Sequence, residues 1–120
     1  AILDNEDIVM KSAGTQMCSY NYIGDCASAI ITVLINGKCG EAYNTANPDV
    51  RLTIAQLAEI IASAANRKVV FADPDDVDLA YRTPIAKQVL SSKKLENLGW
   101  SGVFSAEIGV KHTLDILLGK

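Results

Sequence analysis

The stretch from Gly14 to Ile35, GTQMCSYNYIGDCASAIITVLI, begins with the alternating side-chain pattern of a strand and continues with the apolar spacing of a helix. One acidic residue, Asp25, joins the two parts. Tyr20 and Tyr22 fall on one face of an extended segment, which predicts a strand that continues to Gly24. Asp25 then predicts a helix start, because its carboxylate can accept hydrogen bonds from the first-turn amides. The helix is predicted to bury an apolar stripe formed by Ala27, Ile30, Ile31, Leu34 and Ile35. It is predicted to end at Gly37.

The rest of the chain alternates short strand patterns with helical patterns, which predicts an α/β fold with about four helices. Thr53 and Gln56 form a capping box that starts a helix, and Asn66 can end it in the left-handed conformation. Residues 73–86 carry four aspartates and two prolines, which predicts a surface loop. Two further strands are predicted, at 42–44 and 69–71. A helix is predicted at 93–98; it ends at Gly99, which lets Trp100 pack on Leu95. The last predicted helix is capped by Ser105 and buries Val110, Leu114, Leu117 and Leu118.

Length and composition predict one domain covering residues 1–120. The chain has 120 residues, of which 49% are hydrophobic, and its formal net charge is -3. It has no basic run longer than Lys93-Lys94, so neither charge nor pattern indicates nucleic-acid binding. The most apolar run, residues 26–35, is too short and too often interrupted to span a membrane. We therefore expect neither a nucleic-acid nor a membrane partner.

The three cysteines, Cys18, Cys26 and Cys39, give an odd count without a Cys-x-x-Cys pair. This count disfavours both a disulfide framework and a zinc site. A reducing, cytoplasmic location is the expectation that fits free thiols best. The chain starts at Ala1 rather than at a methionine, so we also expect it to be a fragment of a longer protein.

The run from Gly14 to Asp25 resembles the Gly-x-Gln-x-Arg-x-aromatic-x-x-Val-x-Asp segment of extended short-chain dehydrogenase/reductases. The resemblance continues through Gly-Glu-Ala-Tyr-Asn at 40–44, the helix at 53–61 and the residues from 94 to 100, and it ends near Gly109. Nearly the whole chain is covered in the family's order. The resemblance implies the C-terminal substrate-binding domain of an NAD-dependent nucleotide-sugar epimerase, dehydratase or decarboxylase acting on a UDP- or dTDP-sugar.

The same resemblance implies four substrate-binding residues, Gln16, Cys18, Tyr22 and Arg82. In the family an arginine at the position of Cys18 helps to neutralise the diphosphate of the substrate. A thiol supplies neither the positive charge nor the paired donors of a guanidinium group. Asp25 is assigned a structural role, and no residue of the chain is assigned to catalysis.

The cofactor-binding and catalytic motifs of the family are missing from this chain. The glycine-rich turn that lets backbone amides approach a pyrophosphate is absent, and no tyrosine is followed four positions later by lysine. The resemblance implies that both motifs belong to an N-terminal Rossmann domain, which would bind NAD and is absent here. The partners implied are therefore a nucleotide sugar and that Rossmann domain, and this chain alone is expected to bind no cofactor and to be inactive.

Structural explanations remain open for each of these residues. Arg82 can pair with nearby aspartates, Tyr22 can pack in the core, and Gln16 can simply be hydrated. Cys18 has no basic neighbour in sequence to activate it, and His112 fits a surface or hydrogen-bonded role. The alternative function is a stand-alone binding or interaction module that keeps the fold but lacks catalysis.

Overall fold

The computed structural model describes residues 1–80 and 84–120 and shows a small α/β fold, as predicted. A 3-10 helix at Ile2–Asp4 precedes the regular elements. The strands are β1 (Ile8–Met10), β2 (Met17–Ser19), β3 (Arg51–Thr53), β4 (Val69–Phe71) and β5 (Lys87–Gln88). The helices are α1 (Ile23–Asn36), α2 (Ile54–Ala64), α3 (Asp76–Ala80), α4 (Lys93–Glu96) and α5 (Ala106–Leu117).

The described strands form two small sheets. Strands β1 and β4 pair in parallel, with Ile8 opposite Val69. Strand β2 lies in the middle of the second sheet, antiparallel to β3 and parallel to β5. Helix α2 follows β3 directly and packs against α5. Strand β2, which carries the predicted site residue Cys18, is therefore paired with a strand on each side, β3 and β5.

The predicted junction between β2 and α1 is wrong by several residues. Strand β2 ends at Ser19, and α1 begins at Ile23 with Tyr22 in the capping position. Asp25 lies inside the first turn and makes no cap. Its carboxylate is 1% exposed and accepts hydrogen bonds from the backbone amides of Val103 and Phe104, at 3.0 and 3.1 Å. Asp25 thus has the structural role expected of it, but through distant rather than local partners.

The predicted buried stripe of α1 is also wrong. Ile30, Ile31, Leu34 and Ile35 are between 56 and 80% exposed. The buried side of the helix carries Asp25 and Ala29 instead. Since the bonds of Asp25 fix the rotation of the helix about its axis, the larger aliphatic side chains point away from the rest of the described chain. Helix α1 does end at Asn36, next to Gly37, as predicted.

A small core forms where α1 meets α4 and the segment after it. Ala29, Leu95 and Trp100 are buried together, with Val33, Tyr43 and Leu98 packed around them. The Trp100 indole nitrogen donates to the Ser28 hydroxyl at 3.0 Å, which satisfies the polar atom of the ring. Gly99 has a φ of +96°, a left-handed conformation that turns the chain back towards α4. The predicted packing of Trp100 on Leu95 is confirmed.

Three further local predictions need correction. Residues 42–44 form no strand, because no neighbouring strand in the described chain pairs with them. Part of the predicted loop 73–86 is the helix α3, whose start is held by reciprocal hydrogen bonds between Asp75 and Asp78. Helix α5 is capped by Ser105 and buries Leu114, as predicted, but Leu117 and Leu118 are exposed.

No helix in residues 1–80 or 84–120 is long and apolar enough to cross a membrane. The same residues contain no cluster of three or more histidine, cysteine or acidic side chains that could hold a metal ion.

The predicted capping box at the start of α2 is confirmed. The Gln56 amide donates to the Thr53 hydroxyl at 3.1 Å, and the Thr53 amide donates to the Gln56 side chain at 2.8 Å. Beyond the other end of the helix, Asn66 has a φ of +54°, as its side chain favours. Both ends of α2 therefore follow from local sequence.

We expect Thr53→Ala to lower the free energy of unfolding by about 0.5–2 kcal/mol, because a first-turn amide loses its acceptor. Urea denaturation of the 120-residue chain measures the change. Thr15→Ala, at an exposed loop position, is the matched control and should change stability little. An unchanged midpoint and slope for Thr53→Ala would contradict this account of the helix start.

Candidate functional site

Gln16 lies at the start of β2 and contacts the segment that leads into β5. Its side-chain nitrogen donates to the Ile85 carbonyl at 2.7 Å, and the neighbouring Met17 amide donates to the Ala86 carbonyl at 3.0 Å. These bonds hold residues 84–86 beside the strand. The amide of Gln16 is therefore engaged in the protein itself, rather than simply hydrated.

Cys18 sits at the centre of the three-stranded sheet. It lies opposite Leu52 of β3 and Gln88 of β5, so neither side chain directly beside it is cationic. Burial raises the pKa of Tyr20 above its usual value, and the adjacent Cys18 thiol adds to the rise. The two cross-strand neighbours of Cys18 thus do not replace the charge that an arginine would bring.

Two basic residues lie on the strands that flank β2, but they are on the other face of the sheet. Arg51 is opposite Ser19, and Lys87 is opposite Met17. Because side chains alternate between the faces of a strand, both cations share a face with Met17 and Ser19 rather than with Cys18. Arg51 is therefore a natural control for any experiment on the charge near Cys18.

Arg82 lies outside the described residues. The alternative prediction for Arg82 is an ion pair with nearby aspartates. Two of these aspartates, Asp75 and Asp78, are paired with Lys11. The Lys11 ammonium group is 3.0 Å from Asp75 and 2.9 Å from Asp78. Hydrogen bonds from the Asp78 amide and from Lys11 lower the pKa of Asp75 to about 2. Both carboxylates thus have a cation beside them without Arg82.

Tyr22 packs against α5 and the segment just before it. Its ring centroid is 4.6 Å from that of Phe104, and its hydroxyl shares a hydrogen bond with the His112 Nδ1 atom at 2.7 Å. Gly109 faces the ring, and a Cβ atom there would lie 3.1 Å from Tyr22. The contacts favour the packing role of Tyr22 and give His112 a hydrogen-bonded one.

A cavity of about 370 Å³ lies between the segment 20–22 and the helices α2 and α5. Its volume is within the range of small-molecule sites. Asn21 lines it, and both amide atoms of Asn21 are shielded from solvent without a hydrogen-bond partner in the described chain. The sequence pattern gave no sign of this residue. The apolar lining includes Val50, Leu57, Ile61, Val110, Leu114 and Leu117.

The described residues do not fit a dinucleotide cofactor. A pyrophosphate site needs free amides at a helix N-terminus, without negative charge beside them. The first turn of α1 contains Asp25, and the first turn of α2 is closed by its own capping box. At α5, Ser105 accepts from a first-turn amide, and hydrogen bonds lower the pKa of Glu107, which keeps it anionic at neutral pH. Each of the three long helices thus has a capped or negatively charged N-terminus.

No protein-family model matches the chain. The dTDP-glucose 4,6-dehydratase of Xanthomonas campestris pv. campestris is 28% identical over 119 residues, which are 94% of this chain and 34% of that protein. The dTDP-D-glucose 4,6-dehydratase of Mus musculus is 25% identical over 114 residues, 92% of this chain and 32% of that protein. The chain spans about a third of the length of these relatives.

Solved structures show the same relation. A dTDP-glucose 4,6-dehydratase from Bacillus anthracis, in complex with NAD, matches with a TM-score of 0.80 at 18% identity. The match covers 98% of this chain and 36% of the dehydratase chain. A UDP-glucose 4-epimerase from Thermotoga maritima, with UDP-glucose, matches with a TM-score of 0.79 at 22% identity. The match covers 98% of this chain and 37% of the epimerase chain. The chain resembles the extended short-chain dehydrogenase/reductases in sequence and in fold. The family resemblance predicted from the residues between Gly14 and Gly109 is thereby confirmed.

In this relative of the extended short-chain dehydrogenase/reductases, we expect Asn21→Leu to raise the free energy of unfolding by about 1–3 kcal/mol. The change removes a shielded amide that has no protein partner and puts a similar volume of apolar atoms into an apolar cavity. Urea denaturation measures the effect. Asn97→Leu, at an exposed position, serves as control and should change stability little. A loss of stability in Asn21→Leu would mean that its amide is satisfied.

Proposed function

We propose that this chain is the substrate-binding part of an NAD-dependent epimerase or dehydratase that acts on a UDP- or dTDP-sugar. Residues 1–120 would form one domain at the C-terminal side of the enzyme. NAD and the catalytic groups would belong to a separate Rossmann domain of the same protein. On this proposal the 120-residue chain by itself binds no NAD and catalyses no reaction.

The observation that carries the proposal is the match of nearly the whole chain to one third of several nucleotide-sugar enzymes. Matching structures contain ligands of the expected kind, among them UDP-glucose in the Thermotoga maritima epimerase and NAD with TYD in a dTDP-glucose 4,6-dehydratase from Streptomyces venezuelae. The capped helix N-termini described above support the placement of NAD outside this chain. Fold alone does not assign a reaction, so the sugar-binding role needs a direct test.

The proposed substrate residues are Gln16, Cys18, Tyr22 and Arg82. Cys18 lies on β2 and Gln16 directly before it, where Gln16 also positions residues 84–86, the segment that follows Arg82 in sequence. A diphosphate needs cationic or amide donors, and the side chains opposite Cys18 supply no charge. On this proposal Arg82 supplies positive charge that Cys18 lacks, and Tyr22 shapes the wall of the site through its contact with Phe104.

We expect Cys18→Arg to tighten the binding of UDP or dTDP in the full-length protein, and Arg82→Ala to weaken it. A charge-assisted hydrogen bond contributes on the order of 1.5–3 kcal/mol, so each change should alter the dissociation constant by roughly 10- to 150-fold. Calorimetric titration with each nucleoside diphosphate, at low and high salt, measures both effects. Arg51→Ala removes a cation from the opposite face of the sheet and should leave binding unchanged.

If neither Cys18→Arg nor Arg82→Ala changes binding, the substrate assignment is wrong and the resemblance concerns the fold alone. An equal loss in Arg51→Ala and Arg82→Ala would point to general charge attraction rather than to a site. The alternative, a stand-alone module without catalysis, rests on the presence of Cys18 at the position where the resemblance implies an arginine. It predicts that the complete gene product binds neither nucleoside diphosphate.

A further inference from the structure

The cavity between residues 20–22, α2 and α5 has a lining without charge. Its volume is about 370 Å³, and none of the described residues that line it is Asp, Glu, Lys, Arg or His. Most of the lining is aliphatic or aromatic, and two of its members, Val50 and Leu114, are buried. Moving a charged group from water into such surroundings costs far more than moving a neutral one. A molecule held in this cavity would therefore be neutral.

Five polar side chains belong to this lining, and four of them have hydrogen-bond partners within the protein. The bonded pairs are Tyr20 with Cys18, Tyr22 with His112, Ser105 with the Ile108 amide, and Thr113 with the Gly109 carbonyl. The fifth side chain is Asn21, whose two amide atoms are shielded from solvent and have no partner in the described residues. Asn21 is therefore the polar member of the lining whose hydrogen-bonding capacity is left over.

The chemistry of the Asn21 amide selects the kind of group that can pair with it. The amide has an acceptor oxygen beside a donor nitrogen, so it is matched by a group that also presents one donor and one acceptor. Another amide does this without carrying charge. A carboxylate offers acceptors only, and the uncharged lining does not compensate its charge. A purely apolar molecule would leave Asn21 unpaired, which is costly in a shielded position.

The Asn21 side chain can turn to meet such a group. Asn21 lines the cavity, but its amide atoms are shielded, so the side-chain torsions must rotate before the amide can face a ligand. The rotation breaks no hydrogen bond of the amide, because it has none in the described chain. A ligand that pairs only with the rotated side chain shifts the side chain towards that conformation.

We propose that this cavity binds a small neutral molecule with an apolar body and one amide group, and that Asn21 recognises the amide. A mostly apolar cavity with a few polar groups that fix orientation is the usual design of a small-molecule site. The diphosphate of the proposed substrate does not suit an uncharged lining. The inference is therefore independent of the proposed function.

The test titrates the complete gene product with 3-phenylpropanamide and follows binding by ligand-observed NMR. Two probes of similar shape are the controls, the charged 3-phenylpropanoate and the apolar propylbenzene. We expect the amide to bind roughly tenfold or more tightly than the carboxylate, because the lining compensates no charge. Asn21→Leu should weaken amide binding by roughly tenfold, since the paired hydrogen bonds are lost. The same variant should bind propylbenzene as well as the unmodified protein or better, which also shows that its cavity is intact.

A second variant locates the site without changing Asn21. Val110→Phe adds volume to the α5 wall of the cavity and should abolish binding of both the amide and propylbenzene. Ile116→Phe, in the same helix at 64% exposure, is the matched control and should leave binding unchanged. The proposal is overturned if the unmodified protein does not bind the amide, if Asn21→Leu binds it equally well, or if Val110→Phe still binds it. Equal binding of the carboxylate and the amide would also overturn it.

Discussion

The carboxylate of Asp25 holds the described fold together at its main junction. It lies in the first turn of α1 and accepts the amides of Val103 and Phe104, which come almost eighty residues later in the chain. A buried carboxylate is costly unless its oxygens are hydrogen-bonded, and here each oxygen has a backbone donor. These two bonds place the start of α5 beside the start of α1 and set the rotation of α1.

The contacts of Tyr22 follow from that junction. Since Phe104 is held by Asp25, its ring lies against Tyr22, and Tyr22 in turn meets His112 one helical turn along α5 from Gly109. The cavity that contains Asn21 is enclosed by the same segments together with α2. The rotation of α1 also leaves Ile30, Ile31, Leu34 and Ile35 exposed. One buried acid thus shapes both the proposed substrate wall and the exposed side of α1.

Features that depend on neighbours in sequence were predictable, and features that depend on distant partners were not. The capping box of Thr53, the turn at Gly99 and the cap at Ser105 each need only three or four consecutive residues, and all three were predicted correctly. The apolar stripe of α1 was correctly found but assigned to the core, because periodicity shows that a helix has an apolar face and not what covers it. Asn21 lines a cavity that no local pattern reveals, and Arg82 lies outside the described residues.

The central claim is that the carboxylate of Asp25 fixes α1 against the segment before α5. Its most direct test is the stability of Asp25→Ala and Asp25→Asn, measured by urea denaturation beside Glu59→Ala at an exposed position of α2. Asp25→Ala leaves two shielded amides without an acceptor and should cost about 2–5 kcal/mol, while Asp25→Asn keeps one acceptor and should cost less. A loss in Asp25→Ala no larger than that in Glu59→Ala would contradict the account.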